Sequence, residues 1–143
     1  MDRKSLQNLA KTRLRDAKAL LGRRRWSGAY YLCGYAIECG LKACLFRHLG
    51  ESAALFGDPQ YLKKELIECW THDLVKLVHL AGLDSELGTS CQTNQALAAF
   101  WTVTKEWKET SRYEKKTETL AKALYEAVSH EPDGVFRWIR TRW

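Results

Sequence analysis

The chain has 143 residues, of which 45% are hydrophobic and 28% charged, so it is long enough to bury the core of one domain. Its five cysteines form no CxxC pair, which argues against a disulfide scaffold or a zinc site and fits a reducing cytoplasm. The sequence shows no apolar leader, phosphate-binding glycine loop or nucleophile elbow, and we predict no cofactor.

The net charge of +6 is unevenly distributed along the chain. Residues 1–25 carry nine Lys and Arg against two Asp, and residues 137–142 add three Arg. The residues between carry 11 basic and 15 acidic side chains. Two basic ends on a mildly acidic body favour a phosphate-bearing or acidic partner, although the same charges also serve solubility.

The first predicted helix runs from about Ser5 to Leu21, and Gly22 ends it. Arg13 lies in or beside its apolar stripe, and we expect it to point toward a carboxylate, with Glu38 as the candidate. The other basic side chains of this helix lie on a second face: Lys4, Lys11, Arg15 and Lys18.

Three consecutive arginines, Arg23, Arg24 and Arg25, stand before Trp26. They are a candidate phosphate site, with Trp26 available to stack a base. Alternatively, Trp26 anchors the turn in the core and the arginines are solvated.

The central predicted helix runs from Trp26 to Leu49, with Ser27 as a candidate N-cap and Gly50 as its stop. Its apolar character predicts a helix buried on most of its circumference. Small residues recur on one face, where another helix can approach closely: Ala29, Cys33, Ala36, Gly40 and Ala43. Its interior glycines, Gly34 and Gly40, are unfavourable in a helix, so we expect close packing there to compensate.

Glu38 and Lys42 interrupt the middle of this helix, which excludes a membrane-spanning segment. They are four residues apart, in the favourable order for a helical ion pair. This is either an ordinary solvated pair or, because Ile37 and Cys39 flank Glu38, part of a buried polar network.

The second half of the chain shows no β alternation and predicts further helices separated by a loop over 51–60 and a linker over 82–90. These helices are Tyr61–Trp70, Asp73–Ala81 with Thr71 or Asp73 as cap, Cys91–Trp107, and Glu118–His130 capped by Thr117. Pro132, Asp133 and Gly134 predict a turn before a short basic tail. The class is therefore all-α.

Two further candidate groups lie between these helices. His72 and His79 bracket the predicted Asp73–Ala81 helix, and two histidines without a third ligand do not predict a metal site. Arg112 and Tyr113 stand at the end of the Cys91–Trp107 helix or in the loop after it.

Four motifs occur in a fixed order: RLRDAKALL, GAYYLCGYAIECGLKACL, THDLVKL and SRY. Their order and spacing resemble the HEPN family of small helical domains (higher eukaryotes and prokaryotes nucleotide-binding) over roughly residues 5 to 128. The most specific part lies between Ala29 and Leu45, with Glu38 and Lys42 in place. The resemblance implies an up-and-down bundle of four to five helices plus short helical turns that dimerises. The length of the chain predicts one domain over 1–143, and its last residues predict a basic tail over 131–143.

The resemblance also implies an activity class. Many members are metal-independent RNases in toxin–antitoxin, abortive-infection or other defence systems, and others lack nuclease activity and accompany a minimal nucleotidyltransferase. The nuclease branch carries an Arg, four to six residues, then a His, which handle the transition-state charge and the protons. This chain departs from that pattern, because no Arg precedes a His at that separation; Arg47 and His48 are adjacent.

We therefore expect a cytoplasmic, homodimeric HEPN-type module that binds a nucleotide, RNA or a partner protein of a defence system, without membrane contact. The expected ligand-binding residues are Arg13, Arg23, Arg24, Arg25, Glu38, Lys42 and Tyr113. One alternative is a metal-independent endoribonuclease with a non-standard site, in which His72 is the acid–base group and Arg112 stabilises the phosphate. Another is a purely structural interaction protein, for instance an antitoxin.

Overall fold

The computed structural model describes residues 2–56 and 70–143. In these ranges the chain is helical and has no strand, which confirms the all-α prediction. The described ranges contain seven α-helices and one 3₁₀ helix: α1 (Arg3–Gly22), α2 (Trp26–Phe56), α3 (Leu74–Leu80), α4 (Asp84–Thr93), α5 (Gln95–Thr104), the 3₁₀ helix (Glu109–Tyr113), α6 (Glu118–Ser129) and α7 (Val135–Arg140). The helix predicted for Tyr61–Trp70 lies outside the described residues, apart from its last position.

The first two helices form a hairpin. α1 is capped by Asp2, whose carboxylate accepts a hydrogen bond from the Ser5 backbone amide at 2.7 Å, and it ends at Gly22 as predicted. The short connection that follows lets α1 and α2 pack against each other. Within it, Arg24 has a left-handed backbone, with φ at 57°, and its amide donates to the Leu21 carbonyl.

α2 is the central helix, as predicted, and it contacts α1, α3, α6, α7 and the 3₁₀ helix. Its small residues are buried, and both interior glycines admit a neighbouring side chain. A Cβ added at Gly34 would lie 2.2 Å from the Trp107 ring, and one at Gly40 would lie 3.0 Å from Ile139. The close packing that the sequence predicted at these two positions is therefore present.

The ends of α2 differ from the prediction. The Arg25 carbonyl accepts the first helical hydrogen bond, so Ser27 lies inside the helix and is not its N-cap. The Ser27 hydroxyl instead accepts a hydrogen bond from the Lys116 backbone amide at 2.9 Å. Gly50 does not stop the helix, because one glycine inside a helix costs only about 1 kcal/mol. The predicted loop is therefore wrong for residues 51–56.

The middle of the chain is more helical than predicted. α3 is capped by Asp73, one of the two predicted caps. Residues 84–90, predicted as a linker, form most of α4, and Asn94 separates α4 from α5. The single helix predicted for Cys91–Trp107 is therefore wrong. The Asn94 side chain causes the break, because it accepts a hydrogen bond from the Leu97 backbone amide at 3.1 Å and so starts a new helix.

The C-terminal helices complete the core. α6 starts at its predicted cap, Thr117. The segment predicted as a basic tail contains α7, whose apolar side is buried: Val135, Phe136, Trp138 and Ile139. The Trp138 indole nitrogen donates to the Ser90 hydroxyl at 3.0 Å, which joins α7 to α4. None of the helices described here combines the length and hydropathy that crossing a membrane requires.

Candidate functional site

Glu38 is the starting point of the candidate site. It lies in the middle of α2 and is 1% exposed. One turn further along, the Lys42 ammonium lies 2.7 Å from Glu38 Oε1, which confirms the predicted ion pair. Glu38 Oε2 is also buried and has no hydrogen-bond partner among the described residues. The pair therefore belongs to a buried polar network, the second of the two interpretations that the sequence allowed.

His72 reaches this pair from the segment before α3. Its Nδ1 lies 2.9 Å from Glu38 Oε1, and its Nε2 lies 3.1 Å from Glu109 Oε2. The backbone that carries it is held by the capping turn, in which the Asp73 amide donates to the Thr71 hydroxyl at 3.2 Å. Glu38 therefore links α2 to the loop that positions His72.

The 3₁₀ helix supplies the outer end of the same network. Arg112 lies 3.0 Å from Glu109 Oε1, and its guanidinium stands 4.8 Å from the centre of the Tyr113 ring. Partial desolvation lowers the pKa of Arg112, but the Glu109 carboxylate and Tyr113 outweigh it, so this pKa is raised overall. Tyr113 itself is 78% exposed, so the aromatic face is presented to solvent.

These contacts define a continuous chain of charges, here called the Glu38 network: Lys42, Glu38, His72, Glu109 and Arg112. Each ring nitrogen of His72 faces a carboxylate. Both can donate only when the ring is an imidazolium, because neutral imidazole has a single N–H donor. The network then alternates in sign, which favours every neighbouring pair.

A depression of about 330 Å³ opens beside the network, here called the His72 depression. Its lining includes His72, Glu109, Trp107, Lys105 and Lys108. Trp107 is 2% exposed and packs on Gly34 of α2, so one wall is rigidly attached to the core. The two lysines supply positive charge to the depression, and its Glu109 contacts the exposed Arg112.

The structure brings together four of the predicted site residues, namely Glu38, Lys42, His72 and Arg112, with Tyr113 beside them. Glu109, which connects them, was missed. The signal for it was its position three residues before Arg112, a spacing at which opposite charges meet on a helix.

Arg13 does not join the network. It lies 2.8 Å from Asp16 on its own helix, so the predicted contact with Glu38 is replaced by a local one. Arg23, Arg24 and Arg25 are exposed at the turn between α1 and α2. Trp26 packs against the core, and Lys122 stands 5.7 Å from its ring centre. The arrangement therefore agrees with the alternative in which Trp26 anchors the turn.

The buried thiols have no place in this site. Burial raises the pKa of Cys39 to about 11 and that of Cys44 to about 12, and it raises the pKa of Cys33 still further. Because the thiolate is the reactive form, these three cysteines act as small core residues. Within the described ranges, no group of three His, Cys, Asp or Glu side chains is arranged to hold a metal ion.

Comparison of this chain with known protein families, with curated proteins and with solved structures finds no match. The geometry of the Glu38 network and of the surfaces around it therefore carries the functional argument.

Proposed function

We propose that this chain is a HEPN-type helical module that binds a nucleotide or an RNA segment at the His72 depression and does not cleave it. The observation that carries this proposal is the occupation of both His72 ring nitrogens by carboxylates, at 2.9 and 3.1 Å. The resemblance to the HEPN family supports the class of ligand. The same resemblance places such a module in a prokaryotic toxin–antitoxin or defence system.

The network argues against nuclease chemistry. A general acid–base group needs a nitrogen within reach of the substrate proton, and both nitrogens of His72 are held by Glu38 and Glu109. A transition-state stabiliser needs free positive charge, and Arg112 is already paired with Glu109. The missing Arg-to-His spacing in the sequence points the same way.

The exposed side of the network suits a nucleotide. Tyr113 is 78% exposed and is stacked with Arg112, so a base can stack on this pair. Lys105 and Lys108 line the neighbouring depression and can meet phosphate oxygens. Glu109 fixes the position of Arg112, so the stacking surface formed by Arg112 and Tyr113 is ordered before the ligand binds.

The test is the affinity for a fluorescent ATP analogue, measured by anisotropy for the wild type and for Tyr113→Ala. Stacking on an aromatic side chain contributes about 1–3 kcal/mol per base, so the dissociation constant should rise about fivefold or more. Leu120→Ala, another exposed apolar position, is the control and should bind as the wild type does. Equal binding by the wild type and Tyr113→Ala would place the ligand elsewhere.

The endoribonuclease alternative is favoured by one observation, which is that His72 and Arg112 both contact Glu109 and so converge as a nuclease site would require. Purified protein should be incubated with total RNA and tRNA in EDTA, beside a His72→Ala, Arg112→Ala double variant. We expect no cleavage by either protein. Metal-independent cleavage by the wild type alone would establish a ribonuclease and overturn the binding proposal.

We also propose that the module is a homodimer whose interface lies beside His72. Trp70 and Val75 flank this residue in the sequence and are 78% and 52% exposed. Val75 also lines an open, mainly apolar groove of about 550 Å³ together with Val78, Leu87 and Trp101. A second copy that covers this surface would close the His72 depression from one side.

A further inference from the structure

A second open surface lies between α1, α6 and α7, here called the basic groove, and it shares no residue with the His72 depression. It has a volume of about 440 Å³. Its lining contains no carboxylate. Four cationic side chains line it: Lys11, Arg15, Lys18 and Arg140. This is the surface on which the two basic ends of the chain meet.

The cations of the groove lack the neutralisation found elsewhere on the molecule. Arg137 lies 2.6 Å from Glu131, and Arg142 lies 3.0 Å from Glu86. In contrast, Arg15, Lys18 and Arg140 form no ion pair with any described carboxylate, and Lys11 stands 5.6 Å from the centre of the Trp143 ring. The groove therefore holds a concentrated positive charge that is available to a ligand.

The spacing of these cations is regular. Lys11, Arg15 and Lys18 follow one another at four and three residues on one face of α1, so successive positions are about 6 and about 4.5 Å apart along the axis. Like charges at this spacing repel each other by a few tenths of a kcal/mol per pair, about 0.2–0.5. A ligand with repeated negative charges would relieve this repulsion at every position.

The side chains that line the groove favour a phosphate-bearing polyanion over a lipid bilayer. Its floor consists of Leu14, Tyr125 and Phe136, which are buried or half-buried and contribute to the core. The large exposed apolar side chains of the described residues lie outside the groove, so it has no group to insert into a bilayer. Arg15 and Arg140 present guanidinium forks, which match phosphate oxygens.

We infer that the basic groove binds the phosphodiester backbone of single-stranded nucleic acid without reading its sequence. This goes beyond the proposed function, because it concerns a separate surface and does not depend on the Glu38 network. Contacts through flexible Lys and Arg side chains are electrostatic, so binding should weaken steeply with salt.

The experiment measures the anisotropy of a fluorescein-labelled 20-nucleotide 2′-O-methyl oligouridine, which lacks the hydroxyl that a ribonuclease would need. The test variant is Arg15→Gln, Lys18→Gln, Arg140→Gln, all at exposed positions. The control variant is Lys76→Gln, Lys115→Gln, Arg137→Gln, which removes the same formal charge from exposed positions outside the groove. Thermal melts check that both variants are folded.

The groove variant should bind at least tenfold more weakly than the wild type, and the control variant should bind within about twofold of it. The slope of log K against log salt should fall by about 2, since each contact to a single strand contributes about 0.7. Equal loss in the two variants, or no binding by the wild type at low salt, would overturn the inference. The same probe series includes phosphatidylserine vesicles and an oligoglutamate peptide. The inference would also be overturned if the groove variant lost binding to one of these two probes and kept its affinity for oligouridine.

The same variants keep this inference distinct from the proposed function. The groove variant should bind the fluorescent ATP analogue as the wild type does, so its loss of oligouridine affinity would report on the basic groove and not on the His72 depression. If nucleotide binding fails while oligouridine binding depends on the groove, the proposed function is wrong and this inference stands.

Discussion

Glu38 is the one charged side chain that is buried among the residues the structure describes. Two groups stabilise this buried carboxylate, the Lys42 ammonium at 2.7 Å and the His72 ring at 2.9 Å. A buried carboxylate is costly unless such partners are present. The network therefore contributes to the stability of the fold and also supports the candidate site.

Glu38→Gln should lower the free energy of unfolding by about 2 kcal/mol, because it leaves the half-buried Lys42 without its counter-charge. The measurement is urea denaturation followed by circular dichroism. Asp16→Asn removes the partner of Arg13 from a more exposed pair and should change stability by no more than about 0.5 kcal/mol. Similar losses of unfolding free energy in the two variants would mean that the Glu38 network stabilises the fold no more than an exposed ion pair does.

Gly34 gives a second prediction at this scale. Gly34→Ala should destabilise the protein by about 1–3 kcal/mol or more, although alanine is the better helix former, because the Trp107 ring occupies the space of its Cβ. Gly88→Ala is the matched control, since Gly88 lies inside α4 and a Cβ added there meets nothing within 4 Å. It should stabilise the protein by about 0.5–1 kcal/mol. A stabilised Gly34→Ala would show that Trp107 does not pack there.

The residues that could be predicted are those whose contacts are local. The Glu38–Lys42 pair follows from helical spacing alone. The contacts of His72 with Glu38 and Glu109 join three separate segments, and no pattern within one segment contains them. Arg13 was assigned to Glu38 because the apolar stripe suggested an inward direction, but Asp16 on the same helix is within reach.

At the scale of elements, α7 is held by its apolar side, and the structure makes it part of the core. Ile139 is 1% exposed and packs on Gly40 of α2. Ile139→Ala should therefore cost about 2–5 kcal/mol in thermal or urea unfolding. Arg140→Ala on the same helix is exposed and should stay within about 0.5 kcal/mol of the wild type. Equal stability of the two variants would show that α7 is a loosely attached tail and not part of the core.

Two helix starts were predicted well because their capping side chains were recognised in the sequence. Asp73 and Thr117 fix the starts of α3 and α6, and both caps can be read from the sequence. The errors came from glycine and from Asn94. Gly50 was predicted to stop α2, yet it lies inside the helix, because one glycine costs a helix only about 1 kcal/mol. Asn94 lies between two helical stretches and was read as part of one helix.

At the scale of the molecule, the fold places the two basic ends of the sequence side by side. Lys11 of α1 stands over the Trp143 ring, and Arg3 donates to the Trp143 carbonyl at 2.9 Å. Composition predicted two basic regions, and only the packing of α1 with α6 and α7 could show that they line one groove. The groove and the His72 depression share no lining residue, so each surface can be tested alone.

The proposed homodimer is also a property of the whole molecule, and it makes the last prediction. Val75 is 52% exposed and borders both the His72 depression and the apolar groove of α3 and α4. If a second copy covers this surface, Val75→Glu would bury a charge without a partner, which is strongly unfavourable. We expect light scattering after size exclusion to show a dimer for the wild type and a monomer for Val75→Glu.

Leu120→Glu is the matched control for that experiment, because Leu120 is 48% exposed on α6 and borders neither cavity. It should leave the dimer intact. Dissociation of both variants would indicate a general effect of added negative charge, and a monomeric wild type would remove the dimer from the proposal. Nucleotide affinity measured on the Val75→Glu monomer then decides whether the His72 depression binds its ligand alone or needs the second copy as a wall.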